Sequence, residues 1–249
     1  MDALIIAAGF GSRLRDLSDS KPMTPVAGVP LLELGVRQAK AAGAAKVVVA
    51  TGHEAEMLEA ALCGLTARCG IPIEAARVDD WSKPNGWSVI TGAARIDGDY
   101  LLMMADHIFS DTILTGLAAQ GGKDRGVTLA IDRNTDNPLV DPDDATWVET
   151  EEHGFIRAIG KSIPVYDAVD CGAFLATPEL SLAIAAAIAA GKAGSLSDGM
   201  QALADAGRAA TWDVGGAWWL DVDDPRAHAL AEAQAPRELA AVYAAAMGI

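Results

Sequence analysis

At 249 residues the chain is long enough for one large or two small domains, with a core that needs no disulfide or metal staple. Hydrophobic residues make up 51% and charged residues 21%, which excludes a disordered chain, and the longest uncharged helix-like stretch, Leu180 to Gly191, is far short of the roughly 20 apolar residues of a membrane span. The formal net charge of −15 opposes phosphate-backbone attraction, so neither nucleic acid nor membrane insertion is expected, and an anionic ligand must be met by a few placed cations, backbone amides or a metal. The segment Met1–Ile6 has neither a basic leader nor a long apolar run, so a cytoplasmic location is expected. Cys63, Cys69 and Cys171 are odd in number and form no C-x-x-C, which reads as reduced cysteines in packing roles.

In chain order, Leu4–Ile6, Lys46–Thr51, Ile73–Val78, Tyr100–Ala105 and Val127–Asp132 read as strands. Between them Pro30–Ala42, Glu54–Leu62, Ser88–Arg95 and Ser110–Ala119 read as helices, an alternation that predicts βαβ units and a mostly parallel sheet. Beyond Asn134 the period changes. Trp147–Thr150 and Phe155–Gly160 predict a hairpin, followed by strands at Val169–Ala176 and Trp218–Val222. Helices open at Thr177-Pro178 and Asp224-Pro225, and the Ala-rich tail breaks at Pro236. With neither repeat nor linker, one domain spanning 1–249 is expected, with residues 1–133 as a nucleotide-binding half and 134–249 as an acceptor half with C-terminal helices.

The first strand runs into Ala7-Ala8-Gly9-Phe10-Gly11-Ser12-Arg13-Leu14, where glycines would let backbone amides approach an anion. Leu14 stands where a dinucleotide fingerprint needs a third glycine, and the second strand ends Ala50-Thr51-Gly52 without a ribose-binding acid, which excludes a nicotinamide oxidoreductase. A Walker loop's Gly-Lys-Ser/Thr is missing. The next segment, Ser20-Lys21-Pro22-Met23-Thr24-Pro25-Val26-Ala27-Gly28, adds a lysine in a proline-stiffened loop. Together the two motifs resemble the sugar-nucleotidyltransferase family, with its A-A-G-x-G-x-R and P-K-P-x-x-P-V-x-G signatures; Ser20 departs from the pattern, where the family usually has proline. The resemblance covers nearly the whole chain. It implies an α/β fold, a Rossmann-like, mostly parallel sheet flanked by helices with an antiparallel hairpin insert.

Asp106 follows the strand Tyr100–Ala105, at the sheet edge where such folds bind ligands, and Asp221 ends a later strand. Few hard oxygen ligands beside a phosphate loop suit Mg²⁺, and the resemblance implies that Asp106 and Asp221 hold it. Alternation turns Asp223 one step further out, Asp224 reads as a helix cap, and His107 reads either as a substrate contact or as a satisfied histidine behind the site. By resemblance Lys161 seats the acceptor phosphate, although a solvated strand-end lysine has the same appearance; Asp170 is a candidate for acceptor hydroxyls and Gly172 permits close backbone approach.

Asn85-Gly86-Trp87-Ser88 is similar to the N-x-x-S of cytidylyltransferases, and Ser88 also reads as a helix N-cap. The runs around Asp106, Asp170 and Asp221 look most like the inositol-1-phosphate cytidylyltransferase branch, in which some members carry a fused membrane synthase; here that synthase is expected on a separate protein. The expected reaction is Mg²⁺-dependent transfer of CMP from CTP to a phosphate monoester, with inositol 1-phosphate as acceptor and pyrophosphate released. Catalysis falls to Arg13 and Lys21, and nucleotide binding to Ala7, Ala8, Gly9, Gly11, Ser12, Asn85, Gly86 and Ser88. Alternatives are a uridylyl- or guanylyltransferase on a sugar 1-phosphate, a choline-phosphate cytidylyltransferase and a non-catalytic nucleotide-sensing subunit. The sequence leaves room for a homodimer.

Overall fold

The computed structural model describes residues 1–14, 20–121 and 125–248, with the side chain of Ser12 left aside. The first half contains β1 (Asp2–Ile6), β2 (Pro25–Val26), β3 (Val29–Pro30), α1 (Leu31–Ala41), β4 (Val47–Thr51), α2 (Ala55–Cys69), β5 (Ile73–Arg77), α3 (Gly86–Ala93), β6 (Tyr100–Met104), β7 (His107–Phe109), α4 (Asp111–Gln120) and β8 (Val127–Asp132). The second contains β9 (Trp147–Thr150), β10 (Ile156–Gly160), β11 (Ala168–Ala176), α5 (Pro178–Ala189), α6 (Leu196–Asp205), β12 (Ala209–Asp213), β13 (Trp219–Asp221), α7 (Pro225–Glu238) and α8 (Ala240–Met247).

The main sheet runs β10-β9-β11-β6-β1-β4-β5, with β8 also paired to β11 and β12 outside β8. Strands β6, β1, β4 and β5 are mutually parallel, as the βαβ alternation predicts. Strand β11 enters antiparallel between β6 and β8 and carries the β9–β10 hairpin at its end, so the predicted insert continues the sheet. Alternation along β1 supplies both cores: Ala3 and Ile5 pack under α1, α2 and α4, whereas Leu4 and Ile6 pack under α3, α5 and α6. Leu4 and Ile5 are fully buried, which stabilises the fold by roughly 1.5–3 kcal/mol each relative to exposure.

A third cluster fixes the lysine-bearing loop. Hairpin β2–β3 packs against α7 and α8 through Val26, Val29, Ala231, Leu239 and Tyr243, and the Tyr243 hydroxyl donates to the Val26 carbonyl at 2.9 Å. His228 Nε2 meets the Pro25 carbonyl at 2.7 Å, so the C-terminal helices buttress the segment that presents Lys21.

Several predicted boundaries move. Helix α2 continues past Leu62 to Cys69 because Leu58, Leu62, Leu65 and Cys69 form one buried stripe. Helix α3 begins at Gly86 with Asn85 at the N-cap position, so Ser88 lies inside the helix, buried, and is not its cap. Helix α7 runs through Pro236 to Glu238; a proline so near the end removes one ladder bond, and the break falls at Leu239. Among the described residues no helix is long and apolar enough to cross a membrane.

Candidate active site at the carboxyl edge of the sheet

Two cavities open side by side beyond the carboxyl ends of β1, β4, β5 and β6. One, of about 290 Å³, is walled by Ala7, Ala8, Gly9 and Gly11 after β1, by Lys21, and by Trp81, Lys83, Asn85 and Ser88 after β5. The other, of about 240 Å³, is walled by His107, Asp144, Lys161, Asp170, Gly172, Asp221 and Arg226. They share Arg13, Asn85, Met104, Asp106 and Asp223, so residues from both halves of the chain meet at one seam.

The glycine loop is shaped around the lysine: Gly11 has φ +59°, and a Cβ there would lie 2.5 Å from Lys21 Cβ. Lys21 Nζ donates to Asp106 Oδ2 at 2.5 Å and also pairs with Asp223. Arg13 pairs with Asp223 and, at 2.5 Å, with Asp144 Oδ2, whose other oxygen accepts from Lys161. Every cation expected to meet phosphate is therefore held by a carboxylate. Asp144 is not singled out by the sequence, and Asp223, read there as one step further out than Asp221, is drawn into the site. Asp223 shares the face of Asp221, as alternation expects, and its pairs with Arg13 and Lys21 bring it into the site. Asp224 caps α7 as expected, accepting from the Ala227 N–H at 2.7 Å.

The seam is electrostatically uneven. Burial works against ionisation of Asp106, but Lys21 and the hydrogen-bonded His107 outweigh it and hold the carboxyl well below the usual carboxylate range. Burial opposes protonation of His107, yet Asp221, Asp106 and Asp170 raise it to about 9, so it is an imidazolium at neutral pH and donates from Nδ1 to Asp106 Oδ1 at 2.8 Å. Burial pushes Asp170 up to about 6 against the opposing pull of the Gly172 N–H and His107, and burial likewise raises Asp221 despite His107.

Oxygens of Asp106 and Asp221 with the His107 ring nitrogen lie within 4.8 Å of one another, as do oxygens of Asp144, Asp221 and Asp223. Asp221 Oδ1 is buried without a hydrogen-bond donor among the described residues, which a cation would satisfy. A hard divalent ion such as Mg²⁺ prefers oxygen, so the carboxylates rather than the His107 nitrogen are its fitting ligands.

Three expectations change in detail. Gly172, at φ +76°, makes room for a side chain of the protein itself: a Cβ would lie 2.4 Å from the His107 ring. Asn85 Oδ1 accepts from the Leu196 N–H at 2.8 Å, tying the nucleotide-side loop to α6 and leaving its amide nitrogen and one oxygen lone pair for a ligand. Gly86 belongs to neither cavity wall, because it packs on the Gly194 carbonyl, to which an added Cβ would come within 2.3 Å. The side chain of Ser12 lies outside the described residues.

Residues 3–154 match the MobA-like NTP transferase domain family. The chain is 34% identical over 233 residues to a bifunctional IPC transferase and DIPP synthase of Rubrobacter xylanophilus, covering 92% of this chain and 51% of that protein. It spans about half the length of the curated relatives it matches. Its fold superposes on the inositol-1-phosphate CTP transferase from T. maritima with a TM-score of 0.80 at 21% identity, covering 95% of this chain and 96% of that one. A UDP-glucose pyrophosphorylase complexed with UDP-glucose superposes with a TM-score of 0.78 at 18% identity, covering 96% and 100%. At these identities the two superpositions speak for the fold and not for the nucleotide.

Proposed function

Because the chain belongs to the MobA-like NTP transferase domain family, we propose that it transfers CMP from CTP to a phosphate monoester, inositol 1-phosphate, and releases pyrophosphate. The observation that carries this reading is the seam: two cavities, each with its own cations, meeting at Asp106 and Asp223 with Lys21 between them. One cavity suits a nucleoside triphosphate and the other a second phosphate. The name of the Rubrobacter relative, a bifunctional IPC transferase and DIPP synthase, supports this choice of reaction.

In this mechanism an acceptor phosphate oxygen attacks the α-phosphorus in line, the new P–O bond forms, and the bond to the β-phosphate oxygen breaks. The nucleophile is already anionic at neutral pH, so the protein supplies alignment and charge neutralisation rather than a covalent intermediate. Amides of the Gly9–Gly11 loop and Arg13 hold the departing pyrophosphate, and Lys21 balances charge growing at the α-phosphate. Lys161 seats the acceptor phosphate, and Asp170 accepts hydrogen bonds from acceptor hydroxyls. Mg²⁺, held by Asp106 and Asp221, would supply further charge neutralisation at the α-phosphate. As phosphates arrive, Arg13 and Lys161 exchange Asp144 for substrate oxygens, and Lys21 exchanges Asp223. We further infer that residues 1–133 and 134–249 act as one unit, since the second half supplies Asp221, Lys161 and Asp170, and that the enzyme works in the cytoplasm.

The test is pyrophosphate release from CTP, UTP, GTP and dTTP, each with inositol 1-phosphate, choline phosphate and glucose 1-phosphate. Release that requires Mg²⁺ and is fastest with CTP and inositol 1-phosphate is expected. Equal or faster turnover with UTP and glucose 1-phosphate would move the assignment to a uridylyltransferase.

A further inference from the structure

Three rings converge beside the nucleotide-side cavity, each delivered by a different parallel strand: Phe10 after β1, His53 after β4 and Trp81 after β5. Trp81 and Phe10 are near-parallel, with centroids 6.0 Å apart and planes 10° from coincidence. His53 stands edge-on to both at 4.8 Å. Gly52 lets this corner close, since a Cβ there would lie 2.7 Å from Trp81 Cβ. Trp81 remains 43% exposed and is the one ring of the three in the cavity wall.

The wall of the nucleotide-side cavity thus offers one aromatic face, Trp81, besides the cations Arg13, Lys21 and Lys83 and the Gly9–Gly11 loop. Phosphates belong beside Arg13, Lys21 and the loop amides, which leaves the exposed Trp81 ring as the apolar face for the base. We propose that Trp81 is the platform on which the nucleobase stacks, with Phe10 and His53 as positioning residues that hold its ring; this rests on the nucleotidyl transfer proposed above. Every base has a π-face, so the platform sets affinity for the nucleotide while leaving the choice among bases to polar groups such as the Asn85 amide.

The experiment compares wild type with Trp81→Ala, Trp81→Phe and His53→Ala by steady-state kinetics with CTP and UTP and by calorimetric binding of CTP and of pyrophosphate, which has no base. Trp81→Ala is expected to raise KM and Kd for CTP about tenfold or more, and those for UTP in parallel, with kcat within about threefold. Pyrophosphate affinity should be unchanged, Trp81→Phe should recover most of the loss, and His53→Ala should lie between. Unaltered CTP affinity in Trp81→Ala, or an equal loss for pyrophosphate, would overturn the platform. A wild-type protein that binds pyrophosphate but none of the four nucleotides would instead remove the nucleotidyl transfer reading, and the platform with it.

Discussion

Asp221 lies directly opposite His107 in the antiparallel ladder of β7 and β13, and the Val222 N–H donates to the Asp106 carbonyl at 2.9 Å. Backbone pairing, rather than side-chain contact alone, therefore sets the spacing of the two candidate metal carboxylates. Asp106→Asn and Asp221→Asn should each lower kcat at least about 10²-fold, as expected when a group stabilising transition-state charge is lost. Each should also abolish the rise in Tm that Mg²⁺ gives the wild type. A variant with near-normal turnover at low Mg²⁺ would remove that aspartate from the metal site.

Lys21 is 11% exposed and bridges Asp106 and Asp223, so its removal should be felt twice. Lys21→Ala should lose about 10²–10³ in kcat. In EDTA it should also lose stability toward the lower end of the roughly 3–5 kcal/mol that breaking a buried pair costs, because neighbouring carboxylates are left uncompensated. Added Mg²⁺ should return part of that loss. Thermal unfolding with and without Mg²⁺ checks this, and a variant as stable as wild type in EDTA would mean the ion pairs contribute nothing.

Gly172 is where backbone and site geometry meet. Its φ of +76° is strained for any other residue, and a Cβ would enter the ring of His107, itself held between Gly172 and the face of Trp219. Gly172→Ala should cost about 1–3 kcal/mol from the backbone conformation alone and should displace His107 from Asp106. Lower Tm together with reduced kcat is expected; normal activity would show that His107 need not hold its position.

The parallel sheet was legible because Leu4–Ile6, Val47–Thr51 and Tyr100–Met104 are continuous apolar runs, and the pairing of glycine loop with Lys21 was legible because both motifs are local in sequence. What escaped is non-local. Asp144 sits in the acidic stretch Asp141–Asp144, which reads as a solvated turn until Arg13 and Lys161 are seen on either side of it. Strand β7 is three residues long, too short for periodicity, so the sequence pairs Asp106 with Asp221 by resemblance alone, and the β7–β13 ladder supplies the physical reason. The end of α2 was readable and underestimated, since Leu62, Leu65 and Cys69 keep the helical stripe that Leu58 begins.

Helix α6 supplies Leu196 and Met200 to the acceptor cavity and anchors Asn85, and its first turn rests on a capping box. Burial opposes ionisation of Asp198, but the N–H groups of Ser195 and Gly194, at 2.9 and 3.0 Å, hold its carboxyl below the usual value. A lowered folded-state value makes this stabilisation complete above the unfolded value of about 3.9 and lost as pH falls through the folded one. Asp198→Ala should therefore cost about 0.5–2 kcal/mol at pH 7, and the gap from wild type should narrow below about pH 4. Unfolding curves at both pH values check the sign; a gap that widens in acid would contradict it.

The acceptor side yields the most discriminating outcome. Lys161 is 60% exposed and held by Asp144, so Lys161→Ala should change stability by no more than about 0.5 kcal/mol. It should raise KM for the acceptor about 10- to 100-fold, the range of one charge-assisted hydrogen bond, while leaving KM for CTP nearly unchanged. A quaternary ammonium would want several aromatic faces around it. Among the described residues the acceptor cavity wall holds only Phe174 and Trp219 as aromatic side chains besides His107, the Trp219 ring stacks on His107, and Tyr166 stacks on Trp147 at 4.2 Å. Lys161 and Asp170 in the same wall suit a phosphate and polyol hydroxyls. Inositol 1-phosphate should therefore exceed choline phosphate in kcat/KM by at least about tenfold, some 1.4 kcal/mol, and Lys161→Ala should erode both values while preserving their order. A choline phosphate value above that for inositol 1-phosphate would mean that this cavity holds a quaternary ammonium with the few aromatic faces it has.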